Sequence, residues 1–342
     1  MRPQKIIEYG VITIRKTSSM LIVIAILLGY PGIDKDVKAA DPQQAYHLVS
    51  VTEDGVRTYN SHNGIEWGSF LHKNLSNADC YDIALSPDGS HRFLVYSHTD
   101  KNNNRTLNVF RDYTQKTGTK GWAGNASRLF IPATGTCGQP QMRHLRENLY
   151  GILWLDKGTL HSAIYDASKP DGDNLTLSKP IQNDWLRLVQ PTELSFAYHD
   201  NSIYVVWSPN SKDRIMAMRG EINGQTINYS EPDYHFENHI NISNMISDGK
   251  LMYITVVTGN RVNMLMSSDD GSYWSKGPTC YNLNNISLFT PFLYIDAKGE
   301  KIYLKSDDYA GTNNYLQNFA DCEETQVSIP SETMRIEYFP GL

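Results

Sequence analysis

The amino-acid sequence predicts an all-β fold built from repeated four-stranded antiparallel units. Apolar runs of strand length recur throughout the 342 residues, and no long helical periodicity follows residue 40. The strongest runs begin about 45 to 57 residues apart, which is close to the length of one four-stranded blade of a β-propeller. About 300 residues follow the first 40, so this spacing predicts six blades and not seven.

Six apolar runs are expected to form the innermost strands of the blades. They are Tyr46–Val51, Arg92–Ser97, Leu149–Leu155, Ile203–Ser208, Leu251–Val257 and Lys301–Lys305. Tight-turn pairs such as Asp248-Gly249 precede several of them, which predicts hairpins. The last stretch, Thr333–Phe339, alternates between apolar and polar residues. We expect it to pair with the strand at Tyr46, because this pairing removes an open sheet edge.

The first 39 residues are predicted to be a signal peptide. Basic residues up to Lys16 precede an apolar stretch, Met20–Leu28, which is shorter than the roughly 20 residues that a bilayer span needs. Val37-Lys38-Ala39 then offers small residues at the usual cleavage spacing. An uncleaved anchor is the alternative. With cleavage, residues 40–342 form one exported domain without a membrane span, either extracellular or periplasmic.

Four cysteines fit an oxidising compartment. They allow three pairings, among which the sequence does not choose, and we favour Cys80–Cys137 together with Cys280–Cys322. Their wide spacing lacks Cys-x-x-Cys and argues against zinc. No phosphate-binding or dinucleotide fingerprint is present, so we expect no cofactor and no metal. The net charge of −6 provides no basic surface for nucleic acid.

The stretch from Ser267 to Trp274 predicts a tight turn between two strands. Asp269 and Asp270 can bond their own backbone, Gly271 supplies a positive φ, and Trp274 is a large apolar anchor. Together Ser267, Asp269, Gly271 and Trp274 fit the pattern Ser-x-Asp-x-Gly-x-x-Trp, which is the Asp-box. The chain therefore resembles the sialidase or neuraminidase-like superfamily of Asp-box (BNR-repeat) β-propellers. A degenerate copy follows Asn60, and this motif indicates architecture and not function.

This resemblance implies three arginines that hold a substrate carboxylate, a Tyr–Glu nucleophile and an Asp acid/base. The first family arginine lies in a Phe/Tyr-Arg-Ile-Pro motif, and the matching stretch here begins Tyr81-Asp82-Ile83. Asp82 therefore stands in place of the arginine. At about 4 Å and an effective dielectric near 20, the change from attraction to repulsion is worth several kcal/mol. The sequence thus argues against ordinary sialic-acid hydrolysis.

Polar residues at equivalent positions near the start of each blade are expected to face the central funnel. They are Asp82, Gln139, Gln190, Glu193, Asn241, Asn244 and Thr290. Amides, hydroxyls and carboxylates match sugar hydroxyls, which are both donors and acceptors. The alternative is that these side chains only satisfy backbone groups at strand ends. Trp154 and Trp207 could stack on a sugar, although packing between blades is favoured.

These observations predict a non-catalytic carbohydrate-binding or surface-recognition protein that uses the funnel. Its partner is expected to be a glycan or glycoprotein, and we expect a monomer. The alternative is an exo-acting glycoside hydrolase in which Asp82 and Glu193 form the carboxylate pair. A third interpretation is a scaffold for surface interactions.

Overall fold

The described residues belong almost entirely to antiparallel β-strands. The computed structural model describes residues 46–338, apart from 53–54, 62–65, 67, 73–77, 87–90, 100–101, 103–104, 115–119, 123–126, 132–139, 157, 171, 183–185, 187–188, 210–213, 238–240, 259–260, 282–291, 296–298, 307–313 and 328–334. The predicted signal peptide lies outside the described residues, as do Gln139 and Thr290.

The first half of the chain forms three sheets. Sheet 1 begins with β1 (Tyr46–Thr52), β2 (Gly55–Ser61) and β3 (Gly68–His72). Sheet 2 contains β4 (Ala78–Leu85), β5 (Arg92–Thr99), β6 (Arg105–Thr114), β7 (Lys120–Trp122) and β8 (Ser127–Ile131). Sheet 3 contains β9 (Gln141–Arg146), β10 (Leu149–Asp156), β11 (Thr159–Asp166), β12 (Leu175–Leu177) and β13 (Ile181–Gln182).

The second half repeats this arrangement. Sheet 4 contains β14 (Val189–His199), β15 (Ser202–Pro209), β16 (Arg214–Asn223), β17 (Thr226–Tyr229) and β18 (Asp233–Glu237). Sheet 5 contains β19 (Asn241–Ile242), β20 (Ile246–Ser247), β21 (Met252–Thr258), β22 (Arg261–Ser267) and β23 (Trp274–Tyr281). Sheet 6 contains β24 (Phe292–Ile295), β25 (Lys301–Ser306), β26 (Asn314–Asn318) and β27 (Glu324–Val327). The last strand, β28 (Arg335–Tyr338), belongs to sheet 1.

The predicted pairing of the two chain ends is confirmed. Strand β28 lies antiparallel to β1, with Tyr338 opposite Tyr46 and Arg335 opposite Val49. Sheet 1 therefore has the order β28-β1-β2-β3, in which its first strand comes from the end of the chain. This pairing satisfies backbone groups that an edge strand would otherwise expose.

The six apolar runs predicted to be innermost are instead the second strands of their sheets. The first strands contact one another from sheet to sheet, as β4 does with β9 and β9 with β14. A second strand is covered on both faces by neighbouring sheets, so its apolar residues do not alternate with polar ones. Strand β21 is buried continuously from Met252 to Val257. The prediction mistook the most apolar strand for the innermost one.

The core lies between consecutive sheets. Sheets 2 and 3 share a cluster that contains Trp154, and sheets 3 and 4 share one that contains Trp207. These tryptophans are 3% and 0% exposed, which confirms that they are packing residues. Tyr59 of sheet 1 packs against Phe292 and four further apolar residues of sheet 6, so the last sheet of the chain meets the first. Burial of these side chains is the dominant stabilising contribution.

A disulfide bond joins sheets 5 and 6. Cys280 at the end of β23 is bonded to Cys322, which follows β26, with their Cα atoms 5.5 Å apart. The predicted Cys280–Cys322 pairing is therefore confirmed, and the bond fits an oxidising compartment outside the cytosol. Cys137 and the side chain of Cys80 lie outside the described part, so their pairing stays a prediction. Among the residues described, no helix is long and apolar enough to cross a membrane.

Candidate functional site

Polar side chains on or near the first strands form hydrogen bonds to backbone groups of the neighbouring sheet. Asp82 on β4 is 2% exposed. Its Oδ2 accepts hydrogen bonds from the Met142 N–H at 2.8 Å and from Arg143 Nη1 at 2.9 Å, both on β9. On the same strand, the Gln141 amide donates to the carbonyl of Leu194 in sheet 4. These bonds tie sheet 2 to sheet 3, and sheet 3 to sheet 4.

Similar hydrogen bonds join sheet 4 to sheet 5 and sheet 5 to sheet 6. Ser195 Oγ on β14 accepts the Met245 N–H at 2.6 Å. Asn244 accepts the Leu293 N–H at 2.7 Å and donates to the Leu293 carbonyl at 2.8 Å. Asp82 and Asn244, both predicted to bind ligand, thus satisfy backbone groups of the next sheet, as the alternative interpretation of these residues expects.

Other residues predicted for the funnel are placed only in part. Gln190 and Glu193 lie on β14, and Asn241 lies on β19, but their side chains are outside the described part of the structure. Their ligand-binding roles stay predictions. The carboxylate pair of Asp82 and Glu193 likewise stays a prediction.

Replacing Asp82 by alanine is expected to destabilise the protein by about 2 kcal/mol. The substitution leaves the buried Met142 N–H without its acceptor, a loss typically of about 1–3 kcal/mol. Arg143 keeps some contact with water, since its side chain is 18% exposed, and adds less. Denaturant unfolding measures the difference. Asp82→Asn is the matched control, because its amide oxygen still accepts the bond, and an equal loss in both variants would contradict this account.

The turn between β22 and β23 forms as the sequence predicts, with one correction. Gly271 has a φ of 71°, and Trp274 is 5% exposed. The turn carboxylate is that of Asp270, which accepts from the Ser268 hydroxyl at 2.6 Å, the Ser272 hydroxyl at 2.7 Å and the Ser272 N–H at 3.0 Å. Asp269 contributes its backbone carbonyl instead.

Asp269 is used through its backbone, since its carbonyl oxygen accepts a hydrogen bond from His199 Nε2 at 2.8 Å. The Asp-box assignment of Ser267, Asp269, Gly271 and Trp274 therefore stays a prediction, with Asp270 as the carboxylate that the turn uses. Ser267 Oγ accepts the Met252 N–H at 2.8 Å, which ties the start of the turn to β21. The degenerate copy after Asn60 lies mostly outside the described residues.

Hydrogen bonds inside the turn keep Asp270 charged. The hydroxyls of Ser268 and Ser272, followed by the Ser272 N–H, lower the pKa of the Asp270 carboxyl to about 2. Each of these donors stabilises the carboxylate over the neutral acid. Asp270 therefore carries a negative charge at every pH near neutrality.

The turn docks onto sheet 4. The Tyr204 hydroxyl on β15 donates to the Asp270 carbonyl at 2.7 Å. His199, which is 4% exposed, bonds the turn through Nε2, and its Nδ1 lies 3.0 Å from Ser247 Oγ. Gly271 lies against the Tyr204 ring so closely that a Cβ would overlap it. Sheets 4 and 5 are thus held together along the turn.

A cleft opens between this turn and the outer strands of sheet 4. Its volume is about 240 Å³, which is below the roughly 300–1,000 Å³ of pockets for drug-sized ligands. Its walls are formed by Tyr204, Val206, Ala217, Met218, Arg219, Ser230, Glu231, Asp233, Asp270, Gly271, Ser272 and Trp274. The size suits a small polar ligand, such as a single ring.

Arg219 is the cation of the cleft, and its orientation is set by two neighbours. Its Nε donates to Ser202 Oγ at 2.9 Å, and its guanidinium carbon lies 5.8 Å from the centre of the Tyr204 ring. Within the described residues, its two terminal nitrogens make no hydrogen bond. Arg219 thus presents a fixed pair of donors to a ligand, at little loss of side-chain entropy.

Negative charges outnumber positive ones around the cleft. Among the described lining residues, Glu231, Asp233 and Asp270 supply three carboxylates against the guanidinium of Arg219. The Glu231 carboxylate is exposed, and it makes no hydrogen bond or ion pair within the part of the chain that the structure describes. Donors, acceptors and the apolar rings of Tyr204 and Trp274 therefore meet in one small space.

Sequence reasoning did not find this cleft. Tyr204, Arg219 and Glu231 come from separate strands and loops, and they carry no motif that links them to Asp270. The turn itself was recognised, but its partner surface on sheet 4 has no local signature. Among the described residues, no group of three or more His, Cys, Asp or Glu residues could hold a metal ion.

Comparison with known proteins identifies the fold. No protein-family model matches the chain, and no curated protein matches it. A functionally unknown protein from Desulfotomaculum acetoxidans DSM 771 aligns with a TM-score of 0.51 and 11% identity, over 87% of this chain and 99% of that one. The sialidase NanB, solved with Optactamide, aligns with a TM-score of 0.50 and 10% identity, over 82% of this chain and 64% of that one.

The SapL1 lectin, solved with alpha methyl fucoside, aligns with a TM-score of 0.49 and 10% identity, over 84% of this chain and 97% of that one. At such low identity these similarities concern the fold alone. The NanB alignment, with its TM-score of 0.50, places this nearly all-β chain of four-stranded sheets in the β-propeller fold class.

Proposed function

We propose that the chain is an exported, six-bladed β-propeller of the sialidase-like type that binds carbohydrate and catalyses no reaction. Six-bladed closure is supported by the packing of each sheet on the next and by the contact of Tyr59 with sheet 6. Export is supported by the Cys280–Cys322 disulfide. The protein acts as a monomer, and its partner is a glycan or glycoprotein.

The arrangement at Arg219 carries this proposal. Sugar hydroxyls donate and accept hydrogen bonds at the same time, so a pair of neighbouring hydroxyls can accept from a guanidinium and donate to carboxylates. The cleft offers these groups together, since Arg219 and Glu231 both line it. The largely buried rings of Trp274 and Tyr204 contribute apolar atoms to the cleft wall. We therefore propose this cleft as a binding site, while a ligand site in the central funnel stays a prediction.

Two observations favour binding over hydrolysis. A glycoside hydrolase needs a carboxylic acid that reaches the glycosidic oxygen and donates a proton. Asp82 is 2% exposed and accepts hydrogen bonds from Met142 and Arg143. Asp270 at the cleft has a pKa of about 2, so it holds no proton to donate near neutral pH.

Arg219→Ala is expected to weaken glycan binding by roughly 30-fold or more, because two charge-assisted hydrogen bonds are lost. A glycan array identifies the ligand, and calorimetry on both proteins measures the loss. Fold stability is expected to change little, since Arg219 is exposed and, among the described residues, its side chain makes one hydrogen bond, to Ser202.

Arg111→Ala is the matched control. Arg111 also lies over an aromatic ring, that of Phe93 at 6.0 Å, but its Nη1 donates to the Ala167 carbonyl at 3.4 Å. This variant is expected to lose about 1 kcal/mol of stability and to keep full binding. A folded Arg219→Ala protein that binds glycans as tightly as the wild type overturns the assigned site. A wild type that binds no glycan overturns the proposed function.

A further inference from the structure

The surplus of negative charge in the cleft restricts which sugars can enter it. Among the described residues that line the cleft, Glu231 and Asp270 supply two carboxylates that form no ion pair within the described part, against the guanidinium of Arg219, which leaves one negative charge in excess. Asp270 remains ionised because its own turn lowers its pKa to about 2. A ligand carboxylate brought into this space meets like charges at close range, whereas a ligand ammonium meets opposite ones.

Glu231 is the carboxylate best placed to form an ion pair with a positively charged ligand. It lies in the segment between β17 and β18, and its side chain is exposed. Within the described residues, its backbone carbonyl accepts from the Ser230 hydroxyl at 3.1 Å, and its carboxylate makes no hydrogen bond. Its carboxylate therefore needs no existing bond to break before it pairs with a ligand.

Arg219 cannot neutralise these carboxylates fully. Its Nε donates to Ser202 Oγ, and its guanidinium carbon lies 5.8 Å from the centre of the Tyr204 ring. Neither of its terminal nitrogens forms an ion pair within the described residues. The guanidinium is therefore free to hold two ligand hydroxyls, while the carboxylates keep their attraction for a cation.

We propose that the cleft is selective for amino sugars with an unsubstituted amine and that it rejects sugar acids. This inference rests on the proposed carbohydrate-binding function and names its ligand class. The sugar places two neighbouring hydroxyls on Arg219 and its ammonium beside Glu231. Uncharged sugars bind with intermediate affinity, because they keep the contacts to Arg219 and gain no ion pair.

The test compares ligands that differ in one substituent. Glucosamine, N-acetylglucosamine, glucose and glucuronic acid, together with the galacto series, are titrated into the protein by calorimetry at low and high salt. We expect the amine to bind roughly tenfold more tightly than the neutral sugars, and the acid roughly tenfold more weakly. High salt is expected to reduce both differences in affinity, since salt screens electrostatic interactions.

Two variants assign the effect to Glu231. Glu231→Gln is expected to bring glucosamine to the affinity of glucose while glucose binding stays unchanged. Glu231→Lys is expected to admit glucuronic acid and exclude glucosamine. Glu221→Gln is the matched control, because Glu221 is an exposed carboxylate of the same sheet outside the cleft, and it should change neither preference.

The outcomes separate the inference from the function on which it rests. If glucuronic acid binds the wild type as tightly as glucose, or if the amine gives no advantage, the ligand class is wrong while carbohydrate binding stands. If Glu231→Gln leaves the preference for the amine intact, the assignment to Glu231 is wrong. If none of the sugars binds, the proposed function itself fails.

Discussion

Replacing Gly271 by alanine is expected to destabilise the protein by about 4 kcal/mol. Two independent penalties add at this position. A non-glycine residue at a φ of 71° is strained by about 1–3 kcal/mol. The added Cβ would also overlap the Tyr204 ring and lie 2.8 Å from Met252 Cε, and overpacking of this kind adds about 1–3 kcal/mol.

Urea unfolding of both proteins measures this loss, and Gly224→Ala is the matched control. Gly224 also has a positive φ, 61°, but a Cβ there has no other atom within 4 Å. Only the backbone strain remains, so we expect a loss of about 1 kcal/mol. Equal losses in the two variants would show that the close contact with Tyr204 contributes nothing. Gly271→Ala should also weaken glycan binding, because Gly271 forms part of the cleft wall.

Removal of the Cys280–Cys322 disulfide is expected to lower the free energy of unfolding by about 4 kcal/mol. The bond spans 42 residues, and closing a loop of that length restricts the unfolded chain by this amount in the chain-entropy account. The double variant Cys280→Ala, Cys322→Ala tests the prediction by denaturant unfolding. Alanine is chosen because Cys280 is 0% exposed and serine would bury a hydroxyl.

Wild-type protein unfolded in the presence of a reductant is the control for this variant. It keeps both sulfur atoms and loses the covalent link, together with any Cys80–Cys137 bond, so its stability should fall at least as far as that of the double variant. A stable reduced protein together with an unstable double variant would mean that packing around Cys280, and not the link, provides the stabilisation.

Several features followed from local sequence because local physics determines them. The apolar runs and turn pairs predicted the strands. The alternation in Thr333–Phe339 predicted the strand that pairs with β1. Gly271 and Trp274 predicted a turn with a positive φ and a buried anchor. Each of these depends on backbone geometry or on the period of a single segment, both of which are visible in a short stretch of sequence.

The position of each strand within its sheet could not be predicted in the same way. Burial on both faces makes β10 and β21 the most apolar strands of their sheets, and the sequence pattern marks only that burial. Which strand is first in the sheet depends on how the sheets pack against one another. The carboxylate used in the turn, Asp270 and not Asp269, likewise depends on where the folded serine hydroxyls point.

The sequence by itself determined an all-β repeat, its closing strand and the turn at Gly271, whereas the structure decided the Cys280–Cys322 pairing. Only the tertiary structure decided what the polar residues do. Asp82 and Asn244 form hydrogen bonds between sheets, because backbone groups of the next sheet lie within hydrogen-bond distance of their side chains. The cleft arises because β16 of sheet 4 and the turn of sheet 5 meet, which brings Arg219 and Asp270 together from 51 residues apart. No short sequence pattern predicts this contact between sheets 4 and 5, since it depends on how two complete sheets pack.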